Sequence, residues 1–254
     1  MSLCFRLRRV AVVAAAVLVA LPPLSPHPPV RSSHVTHTTY APRIAVVGDS
    51  VAFGAYDTTR GGWVTRLQGL LDAAYPKAHL RILNAAGNGG NFGNLAGALR
   101  WVQRQARPEI VIIAYGLNDF DEHISRDTIA AHLRDAIRAL RHWKPAPAVI
   151  LMGMPPITAL SPQGLRAERA YTDVIRRIAA AEHAGYLDEF DLWLALGPTF
   201  LHTLRHDTEH PNPFGYSFTA ATVAAYLEGA YLDAHGNIDP PEDPPTCAPE
   251  VCGS

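Results

Sequence analysis

The chain has 254 residues, 48% of them apolar and 18% charged, with a formal net charge of −1. That length suffices to bury one sizeable core and leaves little for a second folding unit. Acids and bases are interspersed, with no basic tail, zinc-type cysteine pairing or tandem repeat, so neither nucleic acid nor an anionic membrane surface is an expected partner.

The chain opens with Arg6, Arg8 and Arg9, followed by the apolar run Val10–Leu21. Twelve residues are too few to cross a bilayer comfortably but suit the apolar region of a signal peptide. Pro22 and Pro23 stop any helix, and Ala20 is small enough to precede a cleavage site, although Leu18 is larger than such a site prefers. Residues 1–21 therefore read as a signal peptide, which places the protein in the cell envelope or outside the cell. A retained N-terminal anchor is the alternative. Residues 22–42, rich in Pro, Ser, Thr and His, read as an extended linker. Cys4 lies in the leader, leaving Cys247 and Cys252 as an even pair near the C-terminus. In an oxidising compartment they can close a small loop; otherwise they are two free thiols.

From residue 43 to 234 the pattern alternates. Short β-rich runs occur at Ile44–Val47, Leu80–Leu83, Ile110–Ala114 and Val149–Met152, with a weaker one at Tyr186–Leu187. Helix-period segments separate them at Trp63–Ala74, Asn94–Gln105, Asp127–Trp143, Leu165–His183 and Ser217–Ala234. Continuous apolar strands between amphipathic helices predict an α/β fold with a parallel sheet of about five strands, covered on both faces. Residues 235–254, with Pro240, Pro241, Pro244 and Pro245, read as a disordered tail.

Ligands of such sheets bind at the carboxyl ends of the strands. Three of those ends carry unusual loops: Gly48-Asp49-Ser50, Gly87-Asn88-Gly89-Gly90 and Gly116-Leu117-Asn118-Asp119. Ser50 follows its strand on a tight turn, and its hydroxyl becomes a useful nucleophile only when a base takes the proton. His210 is the base candidate, in His206-Asp207-Thr208-Glu209-His210-Pro211-Asn212. Asp207 precedes it at a spacing that lets the carboxylate reach back to Nδ1–H, leaving Nε2 to accept the serine proton. Glu209 is adjacent to the histidine and is expected to point elsewhere. An acyl-transfer site also needs donors for a developing oxyanion. The candidates are the backbone N–H groups of Ser50 and Gly89 and the side-chain amide of Asn118.

Taken together these blocks resemble the SGNH/GDSL hydrolases, a family of serine esterases and lipases. Val47-Gly48-Asp49-Ser50 matches the first block, with Val51 where a leucine is frequent. Asn84-Ala85-Ala86-Gly87-Asn88-Gly89 matches the second, whose donor glycine stands five residues after the asparagine. Gly116-Leu117-Asn118-Asp119 matches the third, and Asp207 to Asn212 matches the last. The blocks run in family order across residues 44 to 216. The resemblance implies a flavodoxin-like three-layer α/β/α sandwich and a triad of Ser50, His210 and Asp207. It implies an oxyanion hole of Ser50, Gly89 and Asn118, and hydrolysis of carboxylic esters without a cofactor or metal. The expected substrate is a small-molecule or glycan ester.

Other readings meet specific objections. The glycine-rich loop at 87–93 imitates a dinucleotide fingerprint, but the only acid in the right stretch, Glu109, precedes its strand instead of ending it. His202, His206 and His210 fall at helical spacing suited to zinc, yet Pro211 and Pro213 take the chain out of any helix. A non-catalytic glycan-binding module remains an alternative, as does a cell-envelope O-acyltransferase with the same triad. The loops Ala52–Gly62 and Pro155–Gly164 are expected to line the cleft. Phe53, Phe92 and Phe120 either touch an acyl chain or pack inside.

Overall fold

The computed structural model of the chain describes residues 41–59, 61–242 and 244–247. The leader, most of the linker and Cys252 lie outside these residues, and with them the expected cleavage and disulfide. Five parallel strands form the sheet: β1 (Ile44–Gly48), β2 (Ile82–Asn84), β3 (Ile110–Ala114), β4 (Ala148–Met152) and β5 (Gly185–Leu187). The two-residue β6 (Thr246–Cys247) adds to the far edge, giving the order β2-β1-β3-β4-β5-β6. The chain leaves β1 toward one edge and returns to its other side, so the direction of winding reverses between β1 and β3. That reversal opens a crevice at the carboxyl ends of these strands.

Alternation along each strand decides the two cores. Ile44, Val46, Ile110, Ile112, Ile150 and Met152 face one side, where α2 (Gly62–Ala74) and α9 (Pro213–Ala230) cover them. Ala45, Val47, Val111, Ile113, Val149 and Leu151 face the other. There α3 (Leu95–Gln105), α5 (Arg126–Arg141) and α6 (Pro162–Ala181) cover them. Both faces of the sheet are thus dry, as continuous Val and Ile runs require. The expected three-layer α/β/α sandwich is the observed one.

Local chemistry sets the boundaries. Ser161 caps α6 through the Gly164 amide and Pro162 occupies the first turn, so this helix starts earlier than its apolar period indicates. Asn212 and Pro213 likewise move the start of α9 forward from Ser217. β2 starts at Ile82, not Leu80, because the Gln68 side chain takes the Leu80 carbonyl and the Ile82 amide. Four short helices carry no readable period: α1 (Ser50–Phe53), α4 (Leu117–Asp121), α7 (Glu189–Leu194) and α8 (Pro198–Thr203). Segments this short form only when tertiary contacts hold them.

The chain after His235 differs from the expected disorder in its described part. Leu232 bridges to Ile238, and Pro245 accepts hydrogen bonds from the Tyr186 amide and the Tyr226 hydroxyl. β5 would otherwise be an edge, and a proline can lie at the start of the added strand because Pro245 supplies a carbonyl there and is asked for no amide.

Gly48 is where the sheet meets the site. A Cβ there would stand 2.5 Å from the Ala114 carbonyl oxygen and 2.6 Å from the Ala52 Cβ. We predict that Gly48→Ala destabilises the protein by about 1–3 kcal/mol, the usual cost of overpacking. Denaturant unfolding measures this, and an unchanged midpoint would show that β1 and β3 can separate there at no cost.

Candidate active site

The chain leaves β1 through Gly48, and Asp49 then caps α1 by accepting the Val51 amide at 2.9 Å. This places Ser50 on the first position of a single helical turn, which closes at Gly54, a residue with φ of +92°. Only glycine takes that conformation readily. Ser50 is buried, and its own amide has no acceptor among the described residues. Its Oγ lies 2.9 Å from Nε2 of His210.

The histidine arrives on a tight loop between α8 and α9. The His206 amide donates to the His210 carbonyl, and the Asn212 amide donates to that of Leu204. Inside the loop one Asp207 oxygen accepts the Glu209 and His210 amides at 2.8 and 2.6 Å. The other lies 3.0 Å from His210 Nδ1. Desolvation alone would raise the Asp207 pKa. The two amides and the imidazole outweigh it, so the carboxyl titrates below its ordinary range. An ionised Asp207 accepts from Nδ1–H, which leaves Nε2 as the acceptor for the Ser50 proton. Glu209 contributes its backbone to this loop, its amide donating to Asp207 and its carbonyl accepting from Arg205.

Asn212 fixes the loop from the other side. Its carbonyl oxygen caps α9 through the Phe214 and Gly215 amides, and its NH₂ donates to Thr203 and Arg205 carbonyls. Arg205 does more. It donates to the carbonyls of Glu209 and Pro156 and lies 4.4 Å over the Trp193 ring. The Thr158 amide adds a bond to the Thr208 carbonyl. Together these pin the His210 loop to the segment after β4.

The three expected oxyanion donors come from adjacent strand ends. Pairing between β1 and β2 continues past Asn84, with the Gly87 amide donating to the Gly48 carbonyl at 3.0 Å. The Gly90 amide donates to Gly87, whereas that of Gly89 has no acceptor among the described residues. Gly89 has φ of +70° and open space where a Cβ would stand. The Asn118 Nδ2 donates to the Gly90 carbonyl at 2.8 Å, tying its own turn to the glycine loop with a second N–H remaining on that nitrogen.

Two carboxyls lie buried beneath these loops. Burial pushes Asp49 up to about 7, against the pull of the Val51 and Ala52 amides. Asp119, on α4, is pushed up to about 6 by burial while accepting the Phe92 amide. A third, Glu168 on α6, is fully buried and accepts the Ile157 amide at 3.0 Å. Burial raises it to about 8. Neither Arg205 nor Glu168 carries a sequence signal, since their hydrogen-bond partners are backbone groups, which no side-chain pattern announces.

Other candidates disperse. Among the described residues no group of three or more His, Cys, Asp or Glu side chains is placed to hold a metal ion. His206 stacks on Tyr56 instead. Glu109 pairs with Arg43 at the amino end of the sheet, away from the glycine loop. Phe92 is a core residue against Tyr115, Phe120 packs on Tyr171, and only Phe53 is exposed.

The sequence matches the GDSL-like Lipase/Acylhydrolase family over residues 46–218. No curated protein matches the chain. Among solved structures it is similar to an acetylxylan esterase of Geobacillus stearothermophilus, with 25% identity and a TM-score of 0.59. That alignment covers 73% of this chain and 93% of the other. Solved forms of that enzyme include catalytic mutants at a serine, at an aspartate and at a histidine three positions after the aspartate. An alpha/beta hydrolase from the Lake Arreo metagenome shares the fold, with 20% identity, a TM-score of 0.60 and coverage of 73% and 98%.

Glu168 yields a signed pH prediction. An exposed glutamate titrates near about 4.3, and the folded state raises this one to about 8. The fold thus favours the protonated form, so its contribution is full at low pH and is lost as pH rises through the folded value. Between about pH 5 and about pH 9, Glu168→Gln should lose less stability than the parent, because glutamine stays neutral. Denaturant midpoints across that range measure it, and parallel slopes would show that Glu168 ionises at no cost in place.

Proposed function

The chain belongs to the GDSL-like lipase/acylhydrolase family and is a carboxylic ester hydrolase, and from that premise we propose an exported serine esterase acting through Ser50, His210 and Asp207. The observation that carries this reading is the continuous relay from Ser50 Oγ through both ring nitrogens of His210 to Asp207, at 2.9 and 3.0 Å. The Geobacillus enzyme has its catalytic aspartate and histidine at the same spacing, which supports the same assignment.

His210 takes the proton as Ser50 Oγ attacks the ester carbonyl. The oxyanion is held by the amides of Ser50 and Gly89 and by Asn118. His210 then returns the proton to the leaving alcohol, giving an acyl-enzyme. A water deprotonated by the same imidazole attacks the acyl carbon, and the acid leaves as Ser50 regains its proton. Asp207 keeps the ring in the tautomer this requires and stabilises the imidazolium. No step needs a cofactor. We infer an acetylated carbohydrate or a short-chain acyl ester as substrate, a reading supported by the acetylxylan esterase likeness. Export rests on the Arg-flanked apolar run Val10–Leu21; among the described residues no helix is long and apolar enough to cross a membrane.

Two substitutions test the mechanism. Ser50→Ala should abolish hydrolysis of p-nitrophenyl acetate with the fold intact by circular dichroism, and near-parent turnover would sink the assignment. Asn118→Ala should lower kcat by roughly 10²–10³ with little change in KM, as expected for a donor used in the transition state. An unchanged kcat would remove Asn118 from the oxyanion hole.

A further inference from the structure

One side chain at the site has no part in the mechanism above. Tyr56 is 58% exposed, yet its ring is not loose. It stacks on His206 with centroids 4.6 Å apart and planes within 10°, and it meets the His210 ring edge-to-face at 5.0 Å. Its backbone has φ of +63°, a conformation that a bulky residue adopts only when its surroundings impose it.

The surroundings do impose it. On one side, the Ala55 carbonyl accepts the Tyr216 hydroxyl at 2.8 Å. On the other, Asp57 is buried and paired with Arg66, and it accepts the Gly62 amide at 2.9 Å. Gly54 and Gly62 close the neck of the loop, since a Cβ on Gly62 would stand 2.4 Å from the Gly54 Cα. Both neighbours of Tyr56 are therefore anchored inward, and the ring between them is turned outward against the catalytic histidine. An aromatic ring held at such expense of conformation and solvation marks a contact surface.

Its position says which half of an ester it meets. When the acyl-enzyme forms, the alcohol oxygen leaves with the electrons of its bond to the acyl carbon and takes the proton from His210 Nε2. The alcohol must therefore lie against the imidazole, beside Tyr56. One face of the Tyr56 ring is covered by His206. The negative π-face that remains suits the C–H groups of a flat, cyclic alcohol better than a flexible alkyl chain. Phe53, three residues beyond Ser50, and Phe214, four beyond His210, are exposed by 50% and 59% and add apolar surface from the same two segments.

We propose that Tyr56 is a specificity-determining residue forming a leaving-group subsite, on whose open face the ring of an acylated sugar stacks. This rests on the serine-esterase reading. Two esters of the same acid separate the alcohol side from everything else: β-D-xylopyranose tetraacetate and ethyl acetate, followed by pH-stat with the full chain. The quantity compared is the ratio of their kcat/KM values, in which the acyl group and the inherent reactivity of each ester cancel between variants. Tyr56→Gly accepts the left-handed backbone, and the ratio should fall at least tenfold, through KM for the sugar ester. Tyr56→Phe keeps the ring and should keep the ratio. A ratio unchanged in Tyr56→Gly, or a parent enzyme that turns over ethyl acetate but not the sugar ester, overturns the subsite alone. An equal loss on both esters also overturns it, by reducing Tyr56 to a support for His210. If the parent hydrolyses neither ester, the serine-esterase reading itself falls and the subsite with it.

Discussion

A hydrogen bond of 2.9 Å between Ser50 and His210 joins groups 160 residues apart, and the rest of the site serves to hold its two ends. Such a bond has little strength of its own against water. It persists because both ends are immobilised before they meet. On the serine side, Gly48 lets β1 press against the Ala114 carbonyl, and Asp49 fixes the single turn of α1. On the histidine side, the loop is closed by its own backbone bonds and gripped by Asn212 and Arg205. The two ends are joined through the core by α2 and α9, which pack on the same face of the sheet. Loss of that packing would move His210 away from Ser50 without touching either.

Holding loops this tightly requires polar groups in dry places. Asp49, Asp119, Glu168 and Glu189 are all buried at or near the site, and burial raises every one of them. Each accepts at least one hydrogen bond: Asp49, Asp119 and Glu168 take backbone amides, while Glu189 takes Trp193 Nε1 and the hydroxyls of Thr219 and Thr222. A carboxyl pushed toward neutrality keeps its acceptor atoms while shedding much of the desolvation cost of a charge. Arg205 shows the converse case. It is buried, which pushes it down to about 10, and it gives its two terminal nitrogens to loop carbonyls and its face to Trp193. These groups specify loop geometry, which apolar packing would leave soft.

The architecture was readable early because parallel strands buried on both faces must be continuous apolar runs, and β1, β3 and β4 are such runs. Their order and the helices between them leave few topologies. The family blocks were readable for a related reason. Ser50, Asn118, Asp207 and His210 each sit where a backbone turn demands particular neighbours, so the chemistry is written as short contiguous patterns. What escaped reading was of another kind. The short helices have too few residues for a period, the docking of Pro245 on β5 depends on an edge that no local pattern announces, and the choice between cleft and core for Phe92 stays open until its burial is known.

By itself, then, the sequence determined the α/β class, the five main strands of the sheet and the family blocks with the residues they single out, because each of these is encoded in residues close along the chain. Tertiary structure alone decided which glycine amide stays unpaired in the 87–90 loop, that Arg205 ties the histidine loop to Pro156, and that Tyr56 is driven outward beside His210. Those outcomes depend on contacts between segments remote in sequence, and only the folded sheet brings such segments within hydrogen-bonding and stacking distance.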